Sequence, residues 1–231
     1  MATPELRVVD DPVSECLSMF LAAVAAGPVF LSGGSTPKAV YEQAAATPSA
    51  FAGAELWFGD ERCVPPDDDR SNYLMAKLAL LDPLAAAGID AGVHRIQGER
   101  GPEVAALAYE RELQDAGGLA SAMVMLGIGS DGHTASMFPG KPAVSEASRL
   151  VVGVPEAGLE PFVPRVTLTF PALAQAAWVI VLAVGPSKAD PVARAFGADS
   201  VPTAEVPSSL LAHNTRSLTV LLDEAAAAGL A

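Results

Sequence analysis

Residues 123–140 read MVMLGIGSDGHTASMFPG, and the first four of them decide the fold class. Met123, Val124, Met125 and Leu126 make a short, unbroken apolar run bounded by glycine, the pattern of a strand buried on both faces of a parallel sheet. Gly127, Gly129 and Gly132 then break the regularity. Glycines at a strand end let the backbone take positive φ and come close to a bound molecule. Ser130, Asp131, His133 and Thr134 supply donors and acceptors in the same loop. In open α/β sheets, ligands bind at such strand ends. A lone histidine at a turn is more often a satisfied polar residue than a reactive one; His133 has company.

The same alternation runs through the chain. Pro12 to Ala26 reads as a helix, with Leu17, Phe20, Leu21 and Val24 at steps of three and four, ended by Gly27-Pro28. Val29-Phe30-Leu31 is a brief buried strand that runs into Ser32-Gly33-Gly34-Ser35-Thr36-Pro37-Lys38 before helical character returns. Pro37 suits the first helical position with Ser35 or Thr36 as the cap, so free N–H groups would face the loop and could hold a phosphate. The stretch is neither GxxxxGK[ST] nor GxGxxG, and a plain Gly-Gly turn before an ordinary helix is the competing reading.

Leu56-Trp57-Phe58 is the next strand, and Asp60, Glu61 and Arg62 follow it directly, so they are expected at the same rim as His133. Asp67 to Asp69 read as a solvated loop. A helix from Leu74 to Leu81 should stop at Asp82-Pro83. Val93 to Ile96 reads as a strand with a structural His94, and residues 101–116 as a helix with Val104, Leu107 and Leu113 on its inner side. Alternation predicts a strand over Arg165 to Phe170, then a short helix over Pro171 to Ala176. Trp178 to Val184 is another buried strand, and Lys188 falls at the turn into the following helix. Leu218 to Leu222 forms a last strand before an alanine-rich helix at 223–228. The fold class is therefore α/β: a single domain over residues 1–231, doubly wound, with a mostly parallel sheet and helices on both faces.

Composition narrows the function. At 231 residues and 51% hydrophobic, the chain can bury one sizeable core. A net charge of −13 and a pI near 4.5 argue against nucleic-acid binding, and an anionic ligand would need local basic groups and helix ends to hold it. Cys16 and Cys63 have no zinc-ligand or disulfide-framework spacing, which suits a reducing cytoplasm. The acidic start MATPELRVVDDPVSECL lacks the basic and apolar regions of a signal peptide, and Cys16 to Ala26 is too short to span a bilayer. No metal site or membrane partner is expected.

GGSTP at residues 33–37, GDERCVP at 59–65, SDGHTASMFP at 130–139, RVTLT at 165–169 and GPSKA at 185–189 together resemble the 6-phosphogluconolactonase family, in order and over nearly the whole chain. That resemblance implies a NagB/RpiA/CoA transferase-like fold and hydrolysis of 6-phospho-D-glucono-1,5-lactone in the oxidative pentose phosphate pathway, without a cofactor. Glucosamine-6-phosphate deaminases share the GxDGH signature, but they carry an acid five positions after the histidine and an aromatic after the Asp-Glu pair. This chain has Phe138 and Arg62 there. A non-catalytic sugar-phosphate binding module is a third reading, and no basic helix-turn-helix precedes Pro28.

Lactone opening needs a deprotonated water, charge stabilisation at the carbonyl and a grip on the phosphate. His133 is expected to activate water, with Asp131 orienting it or instead bonding its own loop backbone, and with Arg62 near the carbonyl. Substrate binding is expected from Gly33, Gly34, Ser35, Thr36 and Asp60, and, by the resemblance, from Lys188 and Arg165 as cationic partners of the phosphate. The expected partner is a small sugar phosphate, with the protein a monomer or weak homo-oligomer.

Overall fold

The computed structural model describes residues 3–230. In chain order its strands and helices are β1 (Glu5–Val8), α1 (Pro12–Ala26), β2 (Val29–Leu31), α2 (Ser35–Ala44), β3 (Glu55–Phe58), β4 (Asp60–Arg62), α3 (Asn72–Ala76), α4 (Asp82–Ala86), β5 (Gly92–His94) and α5 (Pro102–Asp115). They continue with β6 (Met123–Leu126), β7 (Val151–Val154), β8 (Arg165–Leu168), α6 (Phe170–Leu173), β9 (Trp178–Ala183), α7 (Ala189–Phe196), β10 (Leu218–Leu222) and α8 (Glu224–Ala227).

Seven strands form one sheet in the order β1-β10-β9-β6-β2-β3-β5, with every pairing parallel. The decisive run, β6, is the central strand, and all four of its residues are buried. Burial on both faces explains why the strands read as continuous apolar runs. From β2 the chain winds outward through β3 and β5; β6 then pairs with the other side of β2, and winding proceeds through β9 and β10. The reversal between β2 and β6 is the topological switch point, where diverging loops leave a crevice.

A second sheet, β4-β8-β7, is antiparallel and lies outside the alternation seen in the sequence. Gly59 makes the transition: its N–H donates to Leu31 O at 2.9 Å, still in the parallel sheet, and its carbonyl accepts from Leu168 N at 2.8 Å. The Arg165 strand ends at Leu168, earlier than expected, because Thr169 caps α6 through its side chain.

Two local expectations are corrected, and one strand was not foreseen. The helix does not stop at Asp82-Pro83: a π turn over Lys77–Leu81 shifts the hydrogen-bond register, Asp82 N–H bonds Lys77 O, and α4 carries on with Pro83 in its first turn. A proline without an N–H is tolerated there. Val104 and Leu107 of α5 are exposed, while Ala105, Ala106, Tyr109, Glu110 and Leu113 face inward. Polar anchors set that rotation: Tyr109 Oη accepts from Phe58 N and donates to Phe58 O, and Glu110 accepts from Leu150 N, Val151 N and Arg149 Nε. Strand β1, at the sheet edge with Leu6 and Val8 exposed, has too mixed a pattern to be read from sequence. His94 is structural as expected, stacked on Trp57 with ring centroids 3.8 Å apart and flanked by Glu55 and Glu112.

Candidate active site

At the switch point lies a cleft of about 330 Å³. Residues 32–37 after β2 form one wall, and Gly127, Ile128, Gly129, Ser130, His133 and Ala135 after β6 form the other. Asp60, Arg62 and Asn72 close one end, Leu159 and Glu160 reach in from the irregular 155–164 loop, and Lys188 enters after β9. Of the expected site residues, Gly33, Gly34, Ser35, Thr36, Asp60, Arg62, His133 and Lys188 therefore share one cleft.

The glycine loop differs from its expected cap. Gly34, with φ of +108°, is the N-cap of α2, no side chain caps the helix, and Pro37 is its third residue. The first helical bond runs from Lys38 N–H to Gly34 O. The N–H groups of Ser35 and Thr36 are thus left for an outside acceptor, as at any uncapped helix start. Tyr41, which the sequence reading passed over, holds the loop from below: its hydroxyl accepts from Ser32 N at 2.8 Å and donates to Ser32 O at 3.0 Å.

In the second wall, His133 Nδ1 lies 2.6 Å from Asp131 Oδ1, and the same oxygen accepts the His133 backbone N–H at 3.0 Å. Orientation of the ring and bonding of the loop backbone are both done by one carboxylate. Burial raises the Asp131 pKa, but the hydrogen bonds and charge of His133 outweigh it and hold the group below the ordinary aspartate range. With Nδ1–H committed to the carboxylate, the ring's Nε2 is the free, basic nitrogen. A methyl group at Gly129 would come within 2.0 Å of His133 Nδ1, so the close approach of ring and backbone requires glycine there.

Further polar residues brace the walls. Thr134 Oγ1 donates to Gly127 O at 3.0 Å, closing the histidine loop. Ser136 Oγ donates to Asp60 Oδ2 at 2.6 Å, and Asn72 Nδ2 donates to Asp60 Oδ1 at 3.1 Å. Ser136 and Asn72 were not singled out in the sequence: Ser136 is one small polar residue inside SDGHTASMFP, and Asn72 lies outside every motif quoted. Phe138 is buried, its ring centroid 4.6 Å from that of His133.

Among the described residues, no carboxylate lies within ion-pair distance of Arg62, Arg165 or Lys188. Lys188 Nζ donates to Ile128 O at 2.7 Å, and burial lowers its pKa against the opposing charge of Asp131. Arg62 Nη1 donates to Arg70 O at 2.5 Å. Arg165 does not line the cleft. Its guanidinium is buried and donates to Val163 O and Pro161 O, and burial, followed by the neighbouring Arg62 charge, lowers its pKa to about 10. It anchors the loop that carries Leu159 and Glu160.

Glu61 also faces away from the rim. Its carboxylate accepts from Arg62 N, Asn72 N, Tyr73 N and Ser71 Oγ at the start of α3, and burial pushes its pKa up despite those bonds. Among the described residues, no group of three or more His, Cys, Asp or Glu is placed to hold a metal ion.

The model of a family described as glucosamine-6-phosphate isomerases/6-phosphogluconolactonase matches residues 7–220. The chain belongs to that family. Among curated members of this isomerase/lactonase family, the 6-phosphogluconolactonase of Nostoc sp. is 37% identical over 209 residues, covering 87% of this chain and 84% of its own. That of Mycobacterium tuberculosis is 38% identical over 217 residues, covering 86% and 83%. The solved 6-phosphogluconolactonase from Trypanosoma cruzi superposes with a TM-score of 0.85 at 31% identity, covering 100% of this chain and 98% of that one. Within the isomerase/lactonase family, these relatives are named for the lactonase activity. Phe138, buried against His133, fills the place where the deaminase pattern carries its acid.

Proposed function

We propose that the chain hydrolyses 6-phospho-D-glucono-1,5-lactone to 6-phosphogluconate, the second step of the oxidative pentose phosphate pathway, with His133 as general base. The observation that carries this reading is an Asp131-backed imidazole and an uncapped glycine loop opening onto one cleft. His133 Nε2 takes a proton from water, and the oxygen attacks the lactone carbonyl. The Arg62 guanidinium offsets the charge developing there. Collapse of the tetrahedral intermediate breaks the ring C–O bond, and the imidazolium returns its proton to the leaving oxygen. Asp131 fixes the tautomer and stabilises the imidazolium in between.

The phosphate rests on the Ser35 and Thr36 N–H groups with Lys188 beside it, and Asp60 contacts a substrate hydroxyl. Arg165 serves the phosphate only indirectly, by holding the loop over the cleft. The reaction needs no cofactor, because the ester carbonyl is already electrophilic. Among the described residues no helix is long and apolar enough to cross a membrane. Two free thiols, Cys16 buried and Cys63 half-buried, fit an enzyme of the reducing cytoplasm.

The test is acid release from freshly made phosphorylated lactone at a pH where spontaneous opening is slow, with glucosamine 6-phosphate as the control. Rapid acid release without ammonia formation is expected; ammonia from the amino sugar, or no acceleration of lactone opening, contradicts the reading. In the same assay Lys188→Ala is expected to raise KM about tenfold or more with a smaller change in kcat, because it removes a charge bound to the phosphate in both ground and transition states. An unchanged KM would move the anion site elsewhere.

A further inference from the structure

We infer that Asn72 is a specificity-determining residue that accepts a hydrogen bond from one ring hydroxyl of the substrate. The inference rests on the lactonase reading above and names a contact that reading does not use. Asn72 is 2% exposed, yet it lines the cleft. Its backbone is fixed because its N–H donates to Glu61 Oε1 at 2.7 Å. Its amide is fixed as well: Nδ2 donates to Asp60 O at 3.0 Å and to Asp60 Oδ1 at 3.1 Å. Two acceptors on one side force the nitrogen toward Asp60, so Oδ1 is turned the other way, against the glycine loop.

There Oδ1 fits only because residue 33 has no side chain. A Cβ on Gly33 would lie 2.0 Å from Asn72 Oδ1 and 2.5 Å from its Cγ. Among the described residues, no protein donor bonds Oδ1, and it is not a fully enclosed, unsatisfied atom. An amide oxygen held rigidly at a cleft wall, with its lone pairs unused, is a ready acceptor for a hydroxyl. It stands beside the loop assigned to the phosphate, so the hydroxyl it meets belongs to the sugar ring. Such a site penalises an analogue lacking that hydroxyl, because the acceptor is then desolvated without a partner.

The experiment measures kcat/KM for the wild type, Asn72→Ala and Asn72→Ser on the parent lactone and on a set of single-deoxy phosphorylated lactones, each missing one ring hydroxyl. For the wild type, removal of one particular hydroxyl is expected to cost about tenfold or more. On the parent lactone both variants should lose a similar factor. On the deoxy lactone that lacks the partner hydroxyl they should match the wild type, while on the other deoxy lactones they keep their deficit.

A uniform loss on every lactone would make Asn72 merely structural and overturn the inference. So would variants indistinguishable from the wild type on the parent lactone. Should neither variant fold, as judged by near-UV circular dichroism, the wild-type series still decides: equal rates on all the deoxy lactones overturn the proposal. No turnover of the parent lactone by the wild type would instead overturn the lactonase reading itself.

Discussion

Replacing His133 with alanine is expected to lower kcat on the phosphorylated lactone by roughly a hundredfold to ten-thousandfold, the range for losing a positioned general base. This corresponds to about 3 to 5 kcal/mol of transition-state stabilisation. On the proposed reading the effect falls on kcat, because the imidazole would meet water and the leaving oxygen while the phosphate would be held at the other cleft wall, where the uncapped α2 terminus and Lys188 lie. The fold should survive. Asp131 keeps its bond to the residue 133 backbone N–H, and Thr134 Oγ1 still closes the loop onto Gly127 O. Steady-state kinetics with a melting curve separate the two quantities. A folded variant that retains wild-type kcat removes His133 from the chemistry.

The second large effect is on stability. Glu61→Ala is expected to destabilise the fold by about 3 to 5 kcal/mol, lowering the melting temperature by roughly 10 °C. Glu61 is 3% exposed and accepts from the Arg62 N–H in β4 and from the Asn72 N–H, the Tyr73 N–H and the Ser71 hydroxyl at the start of α3. Glu61→Gln should cost less, since one carbonyl oxygen remains, although its amide NH2 then confronts donors. Chemical or thermal unfolding of the purified variants measures this. A change within about 1 kcal/mol for Glu61→Ala would mean that the carboxylate is not what organises α3.

Glu61 also marks the limit of what was legible in the sequence. Three charged residues after a buried strand signalled a site, and two of them, Asp60 and Arg62, do line the cleft. Side-chain alternation along a strand sends the middle one to the opposite face, but DER does not read as a strand: it lacks apolar alternation and is held by β8, more than a hundred residues away in the chain. The parallel sheet was readable because its inner strands β2, β3, β6, β9 and β10 are largely buried, mostly apolar runs, and both cleft loops were readable because glycine marks positions where a side chain would collide.

What escaped depended on contacts between distant segments. Tyr109 and Glu110 rotate α5 against its apolar pattern by bonding β3 and β7. The brace of Ser136, Asp60 and Asn72 joins the histidine loop, the start of β4 and the start of α3, which nothing in their local sequence connects. Arg165 sits in a recognisable motif, but the motif is silent on where its guanidinium points, and that is toward the 161–163 backbone.

The most direct measurement is a crystal structure with 6-phosphogluconate bound. The account predicts the phosphate on the Ser35 and Thr36 N–H groups and beside Lys188 Nζ, with the carboxylate carbon at the other end within one water of His133 Nε2. A phosphate seated away from the α2 terminus, or a carboxylate out of reach of the imidazole, would contradict it.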